Sequence, residues 1–311
     1  MSNLAIQAEH LTRDFATVRA VDDLSLDVPA GSVFGFLGAN GAGKTTTIHL
    51  LLGLLEPTQG QAQVLGLDTR TQSQRIREQT GALLEQAGLY ERLSAEENLR
   101  FYANVWRMSV SERNERIKEL LAHMGLWDRR AERVGTWSRG MKQKLAIARV
   151  LLHRPKLIFL DEPTAGLDPV AAAALRDDLA ALAAREGVTV FLTTHNLPEA
   201  ERLCSLVGVI RQGRLLAVGS PDALREQSGG ARVEIVGTGF DDSLVASLRE
   251  RADIAAVALE NDHLLVDLSA NDTRAAPIVS AVVAAGGQIE EVRRGKESLE
   301  DVFLSLMEDA Q

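Results

Sequence analysis

One pattern near residue 40, G-x-x-x-x-G-K-S/T, restricts the fold of this chain more than any other feature. An apolar run, residues 33–37, precedes it and predicts a buried strand, and residues 46–52 follow it and predict a helix. Glycines let backbone N–H groups turn toward a polyphosphate, and the helix N-terminus adds partial positive charge. Strand, glycine loop and helix together predict a site for a nucleoside triphosphate. The residues of this loop are Gly38, Ala39, Asn40, Gly41, Ala42, Gly43, Lys44 and Thr45.

The polar side chains of the loop have separate predicted roles. Lys44 supplies a mobile cation for the outer phosphates, and the Thr45 hydroxyl is an oxygen ligand for Mg²⁺. Thr46, the first residue of the predicted helix, completes the phosphate-binding segment. The sequence therefore predicts a triphosphate and Mg²⁺ as the bound groups.

Composition limits the remaining function classes. With 311 residues and a formal net charge of -9, the chain is long enough for a large and a small domain and lacks the basic balance of a general nucleic-acid surface. No apolar run approaches the roughly 18 residues of a membrane span, and the N-terminus does not resemble a signal peptide. The single cysteine, Cys204, lies in an apolar stretch that predicts a buried thiol and a reducing, cytosolic compartment. We therefore expect any membrane role to come through a partner chain.

Short apolar runs that end in polar residues predict a parallel sheet. Residues 157–160 lead into Asp161 and Glu162, and residues 188–192 lead into Thr193, Thr194 and His195. Runs this short and apolar are typical of central parallel strands that are covered on both faces. Polar residues at such strand ends favour the α/β arrangement that places a ligand at the carboxyl edge of the sheet.

A helix with clear ends is predicted between these two strands. Asp168 is a favourable N-cap, Pro169 suits the first helical position, and Gly187 can end the helix. Alternating residues at 4–10 and 24–28 predict two further strands near the phosphate loop.

Helical periodicity without intervening strands predicts a helical insert over residues 87–153. A flexible stretch at residues 228–230 predicts a boundary between a first domain of residues 1–228 and a second of residues 229–311. The second domain alternates strand and helix patterns and is predicted to be a small α+β unit. The predicted insert helices are 95–107, 111–124 and 142–152; the predicted tail strands are 233–236, 255–259 and 264–268, and the tail helices are 243–250, 275–285 and one that begins at 298.

The carboxylates that follow residues 157–160 predict the second half of the chemistry. Asp161 ends an apolar strand, where it can ligate Mg²⁺ directly or through water. Glu162 follows at once on the other side of the pleat, where it can act as a general base near an attacking water. Acidic residues are also common at solvated strand ends, but the phosphate loop upstream favours a functional role for this pair.

At this point the sequence resembles the ABC-type ATPases. Residues 161–169 (D-E-P-T-A-G-L-D-P) resemble their Walker B and D-loop, and residues 137–144 (W-S-R-G-M-K-Q-K) resemble their signature sequence. His195 stands where that family has its switch histidine, and Phe15 where it has an aromatic residue that stacks on adenine. The resemblance covers roughly residues 4–225, and it implies an α/β P-loop cassette with a mainly parallel central sheet, an antiparallel β edge and a helical insert.

The resemblance implies ATP as the nucleotide and a role for each matched residue. Ser138 and Gly140 would contact the γ-phosphate held by a second ATPase domain. His195 would contact the γ-phosphate and orient the attacking water, while Phe15 would stack on adenine. Lys44 and Glu162 would complete the catalytic set.

Two segments depart from the usual family pattern. The signature has Arg139 and Met141 where glycine and glutamine are common. The glutamine that contacts the metal in the family aligns with Glu85, and Gln86 comes one residue late. We assign the metal-contacting role to Glu85, and the alternative is that Gln86 takes it.

Three functions compete for this motif set. A stand-alone metabolic kinase has no use for the signature together with the switch histidine. An ABC-type ATPase that acts on nucleic acid or ribosomes normally has a long coiled coil or two cassettes in one chain, and neither pattern occurs in this sequence. The resemblance therefore favours the ATPase subunit of a membrane exporter, of the drug, antibiotic-resistance or Na⁺ type with a separate permease chain.

That resemblance also implies the partners. ATP is held between two cassettes arranged head to tail, here expected to be a homodimer because all motifs are present in one chain. The permease would hold the subunit at the cytoplasmic face of the membrane, and no nucleic-acid partner is expected.

Overall fold

The computed structural model describes residues 4–227, 231–260, 263–268, 275–296 and 299–308. Contacts divide the chain into two compact units, residues 1–218 and 219–311. The sequence predicts this boundary after residue 228, in a glycine-containing stretch at 228–230 that lies outside the described residues. A helix at Pro221–Gln227 accounts for the difference, since it packs against a helix of the second unit.

The first unit contains two sheets. Its strands, in chain order, are β1 (Leu4–Phe15), β2 (Val18–Pro29), β3 (Val33–Leu37), β4 (Gln59–Val64), β5 (Leu67–Asp68), β6 (Thr80–Leu83), β7 (Leu157–Asp161), β8 (Thr189–Thr194), β9 (Leu206–Arg211) and β10 (Arg214–Gly219). The larger sheet has the order β10-β9-β3-β8-β7-β6, and the five strands β9, β3, β8, β7 and β6 run parallel to one another. The smaller one, β2-β1-β4-β5, is antiparallel throughout. This confirms the predicted parallel sheet with an antiparallel edge.

Seven α-helices accompany these strands in the described part of the first unit. They are α1 (Lys44–Leu51), α2 (Ser73–Gln79), α3 (Ala95–Val105), α4 (Val110–His123), α5 (Arg139–Leu151), α6 (Pro169–Glu186) and α7 (Leu197–Leu203). Two short 3₁₀ turns, Trp127–Arg129 and Val134–Thr136, lie between α4 and α5. The helices α3, α4 and α5 form the predicted insert between β6 and β7.

Local capping explains where the helices begin. Asp168 accepts hydrogen bonds from the first-turn N–H groups of α6, and Gly187 ends that helix with a φ of 63°. Both ends of α6 were predicted correctly. The prediction for α5 was three residues late, since Ser138 caps this helix and Gly140 lies inside its first turn instead of preceding it.

An aromatic cluster fixes the phosphate-loop strand to its neighbours. The Phe191 ring of β8 lies 5.3 Å from Phe34 and 5.5 Å from Phe36 of β3, and 5.6 Å from Phe159 of β7. All four rings are fully buried and share one core with the apolar residues of α1. Burial of a ring this size contributes about 2–3 kcal/mol to the stability of the fold. The cluster therefore holds β7 and β8 in register with β3, the strand that leads into the phosphate loop.

A buried arginine joins the helical insert to α6. Arg116 of α4 has no exposed surface, and its guanidinium donates to both oxygens of Glu186, at 2.8 and 2.9 Å, and to the Leu151 carbonyl at 2.8 Å. The hydrogen bond from Arg116 is the main reason that the pKa of Glu186 falls from 4.5 to about 2. One ionic group therefore joins the middle of α4 to the ends of α5 and α6.

The second unit has one four-stranded antiparallel sheet, order β12-β13-β11-β14. Its elements are α8 (Pro221–Gln227), β11 (Ala231–Thr238), α9 (Asp242–Arg249), β12 (Ile254–Glu260), β13 (His263–Leu268), α10 (Ala276–Ala284), β14 (Gln288–Lys296) and α11 (Leu299–Glu308). From β11 to β14 the succession βαββαβ with this strand order is the ferredoxin-like arrangement. The α+β prediction is confirmed, although β14 was missed; the predicted start of the last helix, residue 298, lies outside the described residues.

Two smaller predictions can be compared with the structure. Cys204 is buried, and burial raises the pKa of its thiol to about 12. Among the described helices, none is both long and apolar enough to cross a membrane.

We expect Glu186→Gln to lower the free energy of unfolding by about 2 kcal/mol near neutral pH, because the buried Arg116 loses its charged partner. The ionised carboxylate stabilises the fold above its ordinary pKa of 4.5, and this contribution disappears as the pH falls from 4.5 toward about 2. Urea unfolding near pH 7 and near pH 3 should show a smaller difference between parent and variant at the lower pH.

Glu96→Gln is the matched control for this measurement. Glu96 pairs with Arg100 one turn further along α3, and both side chains are partly exposed, so loss of this pair should change the stability by less than about 0.5 kcal/mol. A Glu186→Gln effect of the same size at both pH values would contradict the ionic explanation.

Candidate functional site

The carboxyl ends of three parallel strands meet at one edge of the large sheet. In the register, Leu37 at the end of β3 lies beside Thr194 of β8, and Asp161 at the end of β7 lies beside Thr193. The phosphate loop leaves β3 at this edge and enters α1. The sheet thus brings the loop and the predicted carboxylates to the same place.

Glycine is required at the end of the loop. Gly43 has a φ of 108°, and a Cβ there would lie 2.4 Å from the Ala20 carbonyl oxygen. Any side chain at this position would clash with the backbone and strain it. The close approach sets the direction in which Lys44 and Thr45, the first residues of α1, leave the loop.

Lys44 lies almost buried between the loop and a carboxylate. Its Nζ donates to the carbonyls of Gly38, at 2.5 Å, and Ala39, at 3.3 Å, and lies 3.0 Å from Glu162 Oε1. The other oxygen, Glu162 Oε2, lies 2.9 Å from His195 Nδ1. The structure therefore brings together all three residues of the predicted catalytic set.

The backbone of Glu162 is strained and firmly held. Its φ of 50° is uncommon for a residue with a side chain and costs about 1–3 kcal/mol. Its N–H donates to the Thr193 hydroxyl at 3.0 Å and to the Thr193 carbonyl at 3.2 Å. These bonds from β8 hold the carboxylate toward Lys44 and His195.

Each carboxylate oxygen of Asp161 accepts a hydrogen bond from a threonine hydroxyl. Thr45 Oγ1 donates to Oδ2 at 2.7 Å, and Thr193 Oγ1 donates to Oδ1 at 2.5 Å. Two of the three predicted metal ligands, Thr45 and Asp161, are therefore in direct contact. Their oxygens are of the kind that Mg²⁺ prefers.

A cleft of about 660 Å³ lies over the phosphate loop. Glu85, the third predicted metal ligand, lines this cleft together with its neighbours Leu84 and Ala87, whereas Gln86 does not. The chain bends at residues 85–86 after β6, so the two side chains leave it in different directions. Predicted site residues that line the cleft are Ala39, Asn40, Gly41, Gly43, Lys44, Thr45, Thr46, Glu85, Asp161 and Glu162.

Phe15 is not among the residues that line the cleft. It ends β1, with 40 % of its surface exposed and the Arg13 guanidinium 4.6 Å from its ring centre. Its partner across the strand pair, Val18, and the next residue, Arg19, do line the cleft. Phe15 is thus an exposed ring beside the entrance, and its predicted stacking on adenine stays a prediction.

The signature residues lie at the start of α5. Ser138 Oγ accepts the Met141 N–H, and Gly140 packs near Ala171 of α6. Neither lines the cleft, whereas Arg139 between them does. The Arg139 guanidinium covers Gly166, where a Cβ would lie 2.4 Å from its nearest nitrogen. The structure does not bring Ser138 and Gly140 to the phosphate loop of their own chain.

Two residues of the site were missed by sequence reasoning. Thr193 supports both Asp161 and Glu162, and Gln143 of α5 donates to the Pro163 carbonyl at 2.7 Å. Thr193 was noted at a strand end without a role, and a hydroxyl beside a predicted metal-binding carboxylate could have suggested one. No local pattern indicates the contact of Gln143, because 20 residues separate the two partners.

The fold and the site define a class: an α/β nucleotide-binding domain with a phosphate loop, a strand that delivers two carboxylates, and a helical insert. A family model described as "ABC transporter" matches residues 21–165, and one described as "ATP-binding protein DrrA1-3-like, C-terminal domain" matches residues 219–307.

Curated relatives match over nearly the whole chain. The bacitracin transport ATP-binding protein BcrA of Bacillus licheniformis is 34% identical over 302 residues, which is 97% of each chain. The daunorubicin resistance ATP-binding protein DrrA3 of Streptomyces coeruleorubidus is 34% identical over 320 residues, covering 99% of this chain and 98% of the relative. A solved structure described as the ATP binding subunit of an ABC transporter matches with a TM-score of 0.65 and 34% identity, over 72% of this chain and 93% of that one.

The chain belongs to the ATP-binding subunits of ABC transporters. It is an ATPase whose ATP binding and hydrolysis are coupled to membrane transport. These relatives give no support to the alternative of an ATPase that acts on nucleic acid or ribosomes.

We expect Thr193→Val to lower the free energy of unfolding by about 1 kcal/mol, because the half-buried Asp161 carboxylate loses a hydrogen-bond donor. The same change should slow ATP hydrolysis, since Asp161 and Glu162 both lose a bond that orients them. Thr193→Ser keeps the hydroxyl and serves as the control in urea unfolding and ATPase assays. Equal behaviour of the valine and serine variants would show that the hydroxyl has no such role.

Proposed function

We propose that this chain is the motor subunit of an exporter, that two copies of it hold ATP between them, and that a separate permease keeps it at the cytoplasmic face of the membrane. The named relatives support the exporter class, since one is a bacitracin transport protein and the other a daunorubicin resistance protein. Both match this chain over its full length, including the second unit.

The contact of Glu162 with Lys44 and His195 is the observation that carries the proposed mechanism. Glu162 is the general base that takes a proton from the attacking water, and His195 holds that carboxylate in place. Lys44 lies beside the loop, where its charge stabilises the outer phosphates. The bonds from Thr193 hold Glu162 in its strained backbone conformation and keep the base at the cleft.

The site also fits Mg²⁺. Thr45 and Asp161 would hold it, and Glu85 lines the same cleft. Bound Mg²⁺ would neutralise charge on the β- and γ-phosphates.

The position of the signature supports a second cassette. Ser138 begins α5 and accepts the Met141 N–H, and a helix N-terminus attracts an anion. Because this helix end does not line the cleft of its own chain, the ATP that it contacts would be held by the partner. All motifs occur in this chain, which favours a homodimer with two working sites.

An exposed apolar patch on the helical insert supports a permease contact. Tyr90 and Phe101 lie with ring centres 4.9 Å apart, and Val105 and Trp106 continue the patch along α3. Exposed aromatic groups of this kind are typical of protein interfaces. The Tyr90 segment follows Glu85 directly in the chain, so a permease docked here would be linked to the nucleotide cleft.

Glu162→Gln tests the proposed mechanism. The amide cannot accept a proton, so we expect ATP to bind with little change while hydrolysis falls by about a hundredfold or more. A dimer should then accumulate with ATP and Mg²⁺ and be detected by size-exclusion chromatography. Lys44→Ala is the control, because it should lose ATP affinity and show no ATP-dependent dimer. Hydrolysis at the parental rate in Glu162→Gln would assign the base elsewhere.

Glu85→Ala and Gln86→Ala form a matched pair that tests the metal assignment. We expect Glu85→Ala to raise the Mg²⁺ concentration needed for half-maximal hydrolysis about tenfold, because one oxygen ligand is lost. Nucleotide binding in the presence of a chelator should stay near the parental value, since the phosphate loop holds the nucleotide. Gln86→Ala should change neither quantity; a metal defect in Gln86→Ala instead would shift the assignment by one residue.

A further inference from the structure

A fully buried carboxylate lies directly behind the catalytic pair. Glu199 is the third residue of α7, which begins two residues after His195, and none of its surface is exposed. Sequence reasoning assigned no role to it, and the proposed mechanism does not use it.

Glu199 bonds to the two segments that carry the catalytic base and the histidine. Its Oε2 accepts the Thr164 hydroxyl at 2.6 Å and the Thr194 hydroxyl at 3.3 Å. Thr164 follows Glu162 by two residues, and Thr194 immediately precedes His195. The same two segments meet a second time at the 2.9 Å contact between His195 and Glu162. Glu199 therefore joins the two segments by buried hydrogen bonds, here called the tie. The contact between His195 and Glu162 joins the same segments at an exposed position.

Helix capping does not explain this carboxylate. A glutamate at the third helical position commonly accepts the N–H of the capping residue. Here the N–H of the cap, Asn196, donates to the Thr194 hydroxyl at 2.9 Å, while the Asn196 side chain accepts the Glu199 N–H. The cap is complete without the Glu199 side chain, which leaves that carboxylate to reach Thr164.

Space filling does not explain it either. Burying a carboxylate is unfavourable, and an apolar side chain of similar volume is often equally stable or more stable in such a position. Within the described residues, the second oxygen of Glu199 has no hydrogen-bond partner. Since the Glu199 carboxylate is costly to bury and only one of its oxygens is hydrogen-bonded, we look for its role in the two bonds that this oxygen makes.

We propose that Glu199 is a positioning residue that holds the Thr164 and Thr194 segments at the separation at which His195 meets Glu162. This inference rests on the proposed role of Glu162 as the general base. Without the tie, the bonds of Asp161 and Glu162 to Thr193 would still join the two segments at the strand ends. Beyond the strand ends, the exposed His195–Glu162 contact would have to hold them. The base would then point at the attacking water for a smaller fraction of the time, while the phosphate loop would bind ATP as before.

Glu199→Leu in the full chain tests this inference. We expect kcat for ATP hydrolysis to fall about tenfold or more while KM for ATP and the Kd measured with a chelator change by less than about threefold, the pattern of a defect confined to the reacting groups. Glu199→Gln keeps an acceptor oxygen for both hydroxyls and should restore kcat to within about threefold of the parent.

A double-mutant cycle with His195→Ala separates positioning from a general structural role. If Glu199 acts through His195, adding Glu199→Leu to His195→Ala should slow hydrolysis by no more than about twofold. Multiplied effects, parental kcat in Glu199→Leu, or a joint loss of kcat and ATP affinity would each overturn the inference.

Thr164→Val and Thr164→Ser keep the inference testable if Glu199→Leu does not fold. The valine variant removes the 2.6 Å bond without altering α7, and it should lower kcat by about threefold or more with unchanged KM, whereas the serine variant should not. Equal kcat in both variants would overturn the proposal. Hydrolysis by Glu162→Gln would refute the proposed base, whereas an inactive Glu162→Gln beside a fully active Glu199→Leu would refute the role of Glu199 alone.

Discussion

The rest of the site depends on the two hydroxyl groups that hold Asp161. Thr45 belongs to the helix that follows the phosphate loop, and Thr193 belongs to the neighbouring strand β8. Asp161 therefore joins three segments that are far apart in sequence. Because the aromatic cluster below fixes β3, β7 and β8 in register, each hydroxyl meets its oxygen without rearrangement. Such preorganised polar groups are the main source of electrostatic stabilisation in enzymes.

The charge balance next to this carboxylate explains why the cleft suits a polyanion. Lys44 lies between two carbonyls and Glu162, so one cation serves three acceptors in a nearly buried position. A triphosphate brings additional anionic oxygens to the same ammonium group, and the N–H groups of α1 add to the attraction. Glu162 is held by His195 as well as by Lys44.

Local chemistry determined which parts of the fold and the site were predictable. The phosphate loop, the strand ending at Asp161 and both ends of α6 follow from residues adjacent in sequence, and each was predicted where it occurs. Gln143 and Glu199 act across 20 and 35 residues, so no local pattern indicates their partners. The missed strand β14 lies at the edge of its sheet and carries mostly polar residues, which hides the alternation expected of a strand. Glu85 and not Gln86 lines the cleft where the chain bends after β6, and hydrophobic periodicity does not indicate which of two adjacent polar residues does so.

The packing of α5 against α6 limits how the helical insert can move. Near the starts of the two helices, Gly140 of α5 lies against α6, and in the middle Lys144 pairs with Asp178 at 2.7 Å. At the ends of the two helices, Arg116 binds a carbonyl of α5 and the last carboxylate of α6. The signature begins α5 and the D-loop leads into α6, so the two motifs are fixed to one rigid pair of helices. Because α6 connects β7 to β8, this pair is also anchored in the sheet that carries the catalytic residues. The exposed face of α3 is therefore connected to the cleft by two routes: the segment after β6, where Glu85 lies, and α5, which contacts α3 and whose Arg139 lines the cleft.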